Sequence, residues 1–244
     1  MSKKVVIVGG HGKVALKLTH LIAPNHDVTS IIRDTAHAPD ITAASAHPLV
    51  MSVEDDSPAD FAKVFAGKDV VYYTAGSGGK GGDARTEAVD YRGAVKVFDA
   101  LEAVEGPKPR LILLSSIDAR DASKPPPAHY NDADVKASQG LHAAIPLYMS
   151  CKYRADKDLV QRTAFKWTIL RPNFYTDEPG TGKALVGRTH LDAYIPRDDV
   201  AKALALLLNR DDATSLALDL VGGDTLLEDA MDAAISKGET GLLP

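Results

Sequence analysis

Short apolar runs alternate along the chain with segments whose apolar residues recur every three to four positions. Val5 to Val8 is a run of the first kind, and Val14, Leu18, Leu21 and Ile22 follow at helical spacing, which predicts a strand, a turn and a helix. Val28 to Ile32 and Pro48 to Val53 predict the second and third strands, SVEDDSPADFAKVF from Ser52 the helix after them, and DVVYYTAG from Asp69 the fourth strand. TEAVDYRGAVKVFDALEAV from Thr86 predicts one long amphipathic helix and RLILLSS from Arg110 a fifth strand. A helix YRADKDLVQRTA and a strand KWTILRP, closed by its proline, come next. RDDVAKALALLLN, SLALDLVGG and TLLEDAMDAAISKG then predict helix, strand and helix. Near-continuous apolar strands between helices require a parallel sheet covered on both faces, hence a doubly wound α/β fold. No repeat of fixed period and no shift of composition interrupts the chain, so a single domain over residues 1–244 is expected. Two stretches break the alternation, GSGGKGG from Gly76 and SKPPPAHYNDADVKASQG from Ser123, and both are expected as loops at the carboxyl edge of the sheet, where such folds bind ligands.

Composition narrows the classes of partner. The chain has 244 residues, 45% hydrophobic and 25% charged, and a net charge of -5 without a basic block, which argues against nucleic acid and against an anionic membrane surface. Nowhere do about eighteen apolar residues run together, and the apolar run in MSKKVVIVGG is too short for a signal peptide, so a cytoplasmic protein is expected. Cys151 is the only cysteine and the eight histidines include no pair at metal-ligand spacing, so no disulfide and no metal site are expected. Cys151, Trp167 and Phe165 are read as packing residues, and Asp198 with Asp199 as acids opening a helix.

The turn after the first strand carries the first chemical signal. Gly9, Gly12 and Ala15 have the spacing of a tight turn, a bare backbone where a pyrophosphate approaches, and a small residue where helix meets sheet. His11 and Lys13 add positive charge beside it. At the tip of the second strand Arg33 offers a guanidinium to the 2′-phosphate of NADP, whereas Asp34 behind it would suit the ribose of NAD; Arg33 and hence NADP(H) over NAD(H) is the reading adopted. Ser115 and Ser116 end the fifth strand, and Tyr148 lies four residues before Lys152, on one helix face. A nearby cation favours phenolate, which would bring a phenol of ordinary pKa about 10 toward the working pH. Tyr153 and Lys157 have the same spacing; Lys152, Ala155, Asp156 and Leu159 form the more coherent buried stripe, so the first pair is preferred.

Taken in order, Gly9 to Ala15, Ser115-Ser116, Tyr148 with Lys152, WTILRPNFYTDEPGTG, IPRDDVA and LVGGDT resemble the atypical short-chain dehydrogenase/reductase superfamily, within it the small NmrA-like and epimerase/dehydratase-like NAD(P)H-binding proteins. The resemblance spans essentially the whole chain. It implies an NAD(P)-binding Rossmann fold with a small C-terminal extension on the substrate side. It further implies that Gly9, His11, Gly12, Lys13 and Val14 surround the pyrophosphate, that Arg33 takes the adenosine phosphate, and that Thr74, Ala75 and Gly76 lie along the adenine and its ribose. Lys152 would bind the nicotinamide ribose, Tyr148 would transfer a proton, and Ser116, with Ser115 as the alternative, would orient the substrate. Pro172, Asn173, Phe174 and Tyr175 would flank the nicotinamide, with Asn173 standing where relatives carry glycine. The implied activity is hydride transfer between NADPH and a small carbonyl or alkene; the alternatives are an epimerase or dehydratase with retained cofactor and a non-catalytic NADP-binding redox sensor. Sensors often lose the tyrosine or the lysine, and both are present here. A small-molecule substrate, a monomer or homodimer, and a lid formed by the proline-rich loop complete the expectations.

Overall fold

A computed structural model describes residues 1–79 and 81–241; Lys80 of the glycine-rich stretch lies outside the described residues. Its main sheet has eight strands in the order β3-β2-β1-β4-β5-β6-β10-β8. The inner strands β1 (Lys4–Val8), β4 (Val70–Tyr73), β5 (Arg110–Leu114) and β6 (Trp167–Pro172) are buried almost throughout, as parallel strands covered on both faces must be. β2 (Asp27–Ile32) and β3 (His47–Val50) extend the sheet one way and β10 (Ala217–Leu226) the other. The far edge departs from expectation: β8 (Lys183–Gly187) pairs antiparallel with β10, so the sheet is mostly rather than wholly parallel.

One face is covered by α1 (Lys13–Ile22), α8 (Arg197–Leu207) and α9 (Leu227–Lys237), around a core of Leu18, Ile7, Leu204 and Leu220. The other carries α3 (Pro58–Phe65), α5 (Ala94–Ala103) and α7 (Pro146–Leu159), around Phe61, Phe98, Leu111 and Trp167. Phe165 and Trp167 pack in that second core, as read from the sequence.

Several elements correct the sequence reading. Residues 52–57 are a turn, because Ser57 and Asp60 form a capping box and Pro58 opens α3. A short helix α2 (Ala38–Ala43) follows β2; it buries only Ile41, so it leaves no apolar stripe to read. The stretch from Ser123 is a loop only at first: Asn131 and Asp134 form a second capping box and start α6 (Asp132–Ala144). The long helix expected from Thr86 divides into α4 (Gly82–Thr86), a π-helical turn Glu87–Gly93, and α5. At that turn Tyr73 donates its hydroxyl hydrogen to the Val89 carbonyl, and Gly93 is required, because a Cβ there would lie 2.7 Å from the Tyr73 oxygen. Two short strands, β7 (Tyr175–Thr176) and β9 (Ile195–Pro196), pair in parallel as a separate two-stranded sheet.

Candidate functional site

The strand order reverses between β1, β2 and β4, and a groove opens there above the carboxyl ends. Gly9, His11, Gly12, Thr74, Ala75 and Gly76 line it. Gly9 has φ of +83°, and a Cβ on it would come 2.6 Å from the Ala75 backbone. Gly10 is fixed by a different need: its missing side chain lets β2 approach, since a Cβ would meet Ser30 at 2.6 Å. Gly12 is less confined: a Cβ would press on the Gly9 carbonyl at 3.3 Å and touch Ala15 at 3.9 Å, and its bareness leaves the groove open. Gly12 caps α1 without a side-chain hydrogen bond, and the first turn of that helix holds no acid. The amino-terminal amides and the positive end of the helix dipole are therefore left for an external anion.

At the outer end of the groove Arg33 lies 3.9 Å from Glu54, and Arg85 of α4 lies 3.4 Å from the same carboxylate. Asp34 points elsewhere: its side chain accepts from the Ala36 amide. His11 stacks on His37 at 3.7 Å and pairs with Asp40.

A separate pocket holds Ser115, Ser116, Tyr148, Pro172, Asn173, Phe174 and Tyr175 between β5, α7 and β6, with Leu141 and Ile145 from the end of α6 on its rim. Lys152 stands behind Tyr148, its Nζ 5.5 Å from the ring centre and 3.2 Å from the Asp90 carboxylate. Both charged groups are buried. Burial alone would lower the Lys152 ammonium, but Tyr148, Asp90 and Tyr175 together raise it above its ordinary value. The phenol is the surprise. Burial raises Tyr148, Asp90 adds to the rise, and the opposing pull of Lys152 and of the nearby Ser116 hydroxyl does not offset it, so the phenol lies above its ordinary value rather than below it. Of the two serines, Ser116 faces Tyr148, its hydroxyl donating to the Ile117 carbonyl at 3.3 Å, while Ser115 is buried beside Asp156.

Other sequence candidates fall outside these walls. Lys13 pairs with Asp177 at 2.9 Å and Val14 is in the core. Lys157 is exposed and lies with Tyr153 on another cavity. The proline-rich part of the segment, Lys124 to Tyr130, borders that other cavity, and the wall it gives the Tyr148 pocket comes from Leu141 and Ile145 at the end of α6. Asn173 is a tie: its amide donates to the carbonyls of Leu191 and Ala193, and its oxygen accepts from the Phe174 amide. Asp199, with Asp198, accepts from the backbone of residues 180–182, and the Cys151 thiol, donating to Glu87, is pushed up to about 12 chiefly by burial. Asp90, Arg85 and Glu54 escaped the sequence reading. Asp90 lies in the π-helical turn, and the added residue shifts the helical phase so that a wheel drawn from Thr86 misplaces it.

The model of a family described as NAD(P)H-binding matches residues 9–211. A fission yeast (Schizosaccharomyces pombe) protein named UPF0659 protein C216.03 is 40% identical over 239 residues, covering 96% of both chains. A Bacillus subtilis protein named uncharacterized sugar epimerase YhfK is 30% identical, over 93% of this chain and 98% of its own. Among solved structures, a candidate NAD-dependent epimerase/dehydratase from Bacillus halodurans superposes with a TM-score of 0.79 at 26% identity, over 95% of this chain and all of its own. A short-chain dehydrogenase/reductase from Veillonella parvula, solved in complex with NADP, has a TM-score of 0.70 at 18% identity over 93% and 97% of the two chains, a likeness of fold. No helix among the described residues is long and apolar enough to cross a membrane.

Proposed function

Since the chain belongs to the NAD(P)H-binding family, we propose that it is an NADPH-dependent oxidoreductase acting on a small carbonyl or activated alkene. The observation that carries this reading is the uncapped, acid-free amino terminus of α1 behind Gly12, opening on a groove with two guanidinium groups at its outer end. The pyrophosphate would sit on the α1 amides, with Gly9 and Gly12 giving the close approach and Thr74, Ala75 and Gly76 bordering the ribose. Arg33, joined by Arg85, would take the 2′-phosphate, which also relieves their shared dependence on Glu54. Lys152, with its charge secured by Asp90, would hold the nicotinamide ribose, and Pro172, Asn173 and Phe174 would border the ring.

When bound, the cofactor supplies the hydride. Ser116 would hold the substrate oxygen, and Tyr148 would deliver the proton that this oxygen takes as its carbon receives the hydride. A phenol kept protonated by burial suits that direction. The name of the 30% identical relative favours a second reading, an epimerase that returns the hydride to the same substrate; the residues and their roles would be shared.

The test is a calorimetric titration of NADPH and NADH side by side, repeated with Arg33→Ala. Tighter NADPH binding that the variant reduces to the NADH level supports the reading. Absence of binding by either nucleotide ends it. A carbonyl panel with Tyr148→Phe as control then separates net reduction from epimerisation, since only reduction consumes NADPH.

A further inference from the structure

The Tyr148 pocket carries one more phenol than the proposed reaction uses. Tyr175, on β7, lines the pocket and is half-buried, and its hydroxyl makes no hydrogen bond among the described residues. Its ring is held by Arg197 of α8, whose guanidinium lies 5.1 Å from the ring centre, and its backbone pairs with β9. The other polar side chains of the wall divide in two. Asn173 is spent on Leu191, Ala193 and Phe174, and Ser115 is buried beside Asp156. Ser116, Tyr148 and Tyr175 remain to face a ligand, and among the described residues no carboxylate, histidine or lysine lines the pocket.

A carbonyl oxygen accepts two hydrogen bonds, and in the proposed reaction Tyr148 and Ser116 supply both to the oxygen that is reduced. Tyr175 is then a third donor with nothing to serve, and a phenol on a pocket wall usually finds a partner. Burial and the neighbouring Tyr148 raise the Tyr175 phenol well above its ordinary value, against the pull of Lys152 and Arg197, so it is a donor throughout the neutral range. The cations that would favour a charged partner are already matched, Lys152 by Asp90 and Arg197 by Asp177 at 2.6 Å. What fits Tyr175 is a second, neutral oxygen. The pocket is small, about 80 Å³, which keeps that oxygen on the carbon next to the carbonyl.

We propose that the substrate of this pocket is an α-hydroxy carbonyl compound, with its reacting oxygen on Tyr148 and Ser116 and its hydroxyl oxygen on Tyr175. The assignment rests on the oxidoreductase reading and gives it a substrate class. Reduction yields a vicinal diol: the carbonyl carbon takes the hydride as NADPH becomes NADP+, and the carbonyl oxygen takes the Tyr148 proton, which solvent returns to the phenol. Tyr175 meets the oxygen that does not react, so its part is binding and selectivity, and Tyr148 remains the proton donor.

The experiment compares 3-hydroxy-2-butanone with 2-butanone, which lacks only the hydroxyl. Their Kd values are measured by ligand-observed NMR on the full chain before any nucleotide is added, and their kcat/KM values with NADPH, for the parent and for Tyr175→Phe. The hydroxy ketone is expected to bind the parent about tenfold more tightly, the worth of one hydrogen bond. Tyr175→Phe should bring the two within about twofold and leave the affinities for 2-butanone and NADPH as they were. The ratio of kcat/KM values should fall by the same factor, and comparing the two proteins cancels the greater intrinsic reactivity of the hydroxy ketone. The variant keeps the ring that Arg197 covers and loses a hydroxyl that bonds to nothing in the protein, so its urea unfolding should match the parent's. Equal affinities in the parent, no saturable binding of the hydroxy ketone up to about 100 mM, or a preference that survives Tyr175→Phe overturns the proposal. So does a loss of NADPH affinity in the variant, which would give Tyr175 to the nicotinamide instead. A Tyr175-dependent preference in binding without reduction of either compound sinks the reductase reading and leaves the recognition standing; reduction of both with a ratio indifferent to Tyr175 does the reverse.

Discussion

The Lys152–Asp90 pair permits a quantitative test of how the site is held. Both side chains are almost wholly buried and their charges are 3.2 Å apart. At an effective dielectric constant of about 20 their attraction is about 5 kcal/mol, and breaking a buried pair by removing one partner costs about 3–5 kcal/mol, because the other charge is left unmatched. Asp90→Asn keeps an oxygen for the Ser77 amide, which Asp90 now accepts, so the change is mainly one of charge. For a chain of this size, 3–5 kcal/mol corresponds to a fall in Tm of about 6–20 °C. The double variant Asp90→Asn/Lys152→Met, which removes both charges, should recover most of that loss. The sign with pH follows from Lys152: its folded pKa is raised, so its contribution is full below the ordinary lysine range and is lost as pH rises through the folded value. The deficit of Asp90→Asn is therefore expected to be constant from about pH 6 to 9. Urea unfolding of the four proteins at pH 7 measures the cycle. A double variant no more stable than Asp90→Asn, or a single variant as stable as the parent, would refute the assignment. The same variant should lower the Tyr148 pKa, read as tyrosinate absorbance against a Tyr148→Phe blank, because Asp90 contributes to its rise.

Four further outcomes are expected. Gly9→Ala forces a side chain to φ of +83° and against the Ala75 backbone, and should cost about 2–4 kcal/mol in unfolding experiments. Asn173→Gly loses two bonds to the 191–193 segment and should lower stability by about 1–3 kcal/mol, read by urea unfolding. Tyr148→Phe should reduce turnover by about 10²–10⁴ and leave nucleotide binding intact, and the parent's reduction rate should stay level through neutral pH, falling only where the raised phenol ionises. Native Cys151 should resist thiol reagents at pH 8, as a buried thiol pushed up to about 12 carries almost no thiolate; rapid labelling would contradict its packing role.

The unit β1–glycine turn–α1 was readable because local and global demands coincide there: a fully buried strand, a positive-φ glycine and an apolar helical stripe each leave a mark on the sequence. The choice of Tyr148–Lys152 over Tyr153–Lys157 rested on a stripe whose four members are all buried in the structure. Asp90 was hidden by a change of helical phase that tertiary contacts impose, Tyr73 against Val89 and Gly93. Arg85 and Glu54 come to the groove from separate loops and helices, a meeting that no spacing records. Two capping boxes, Ser57 with Asp60 and Asn131 with Asp134, carry the signal for the starts of α3 and α6 in their Ser-x-x-Asp and Asn-x-x-Asp spacing.

Asp199 accepts from the Thr181 and Gly182 amides and the Thr181 hydroxyl, and Gly180 leaves no room for a Cβ beside it. The clasp sits on α8, which packs on α1, the helix proposed to face the nucleotide. The segment leaving the Tyr148 pocket is thus moored twice, by this clasp to α8 and by Asp177, which pairs with Lys13 of α1 and Arg197 of α8. Between the two ties only Glu178 and Pro179 are free to vary, so any movement between α1 and α8 is carried to the pocket wall along a tether with almost no slack.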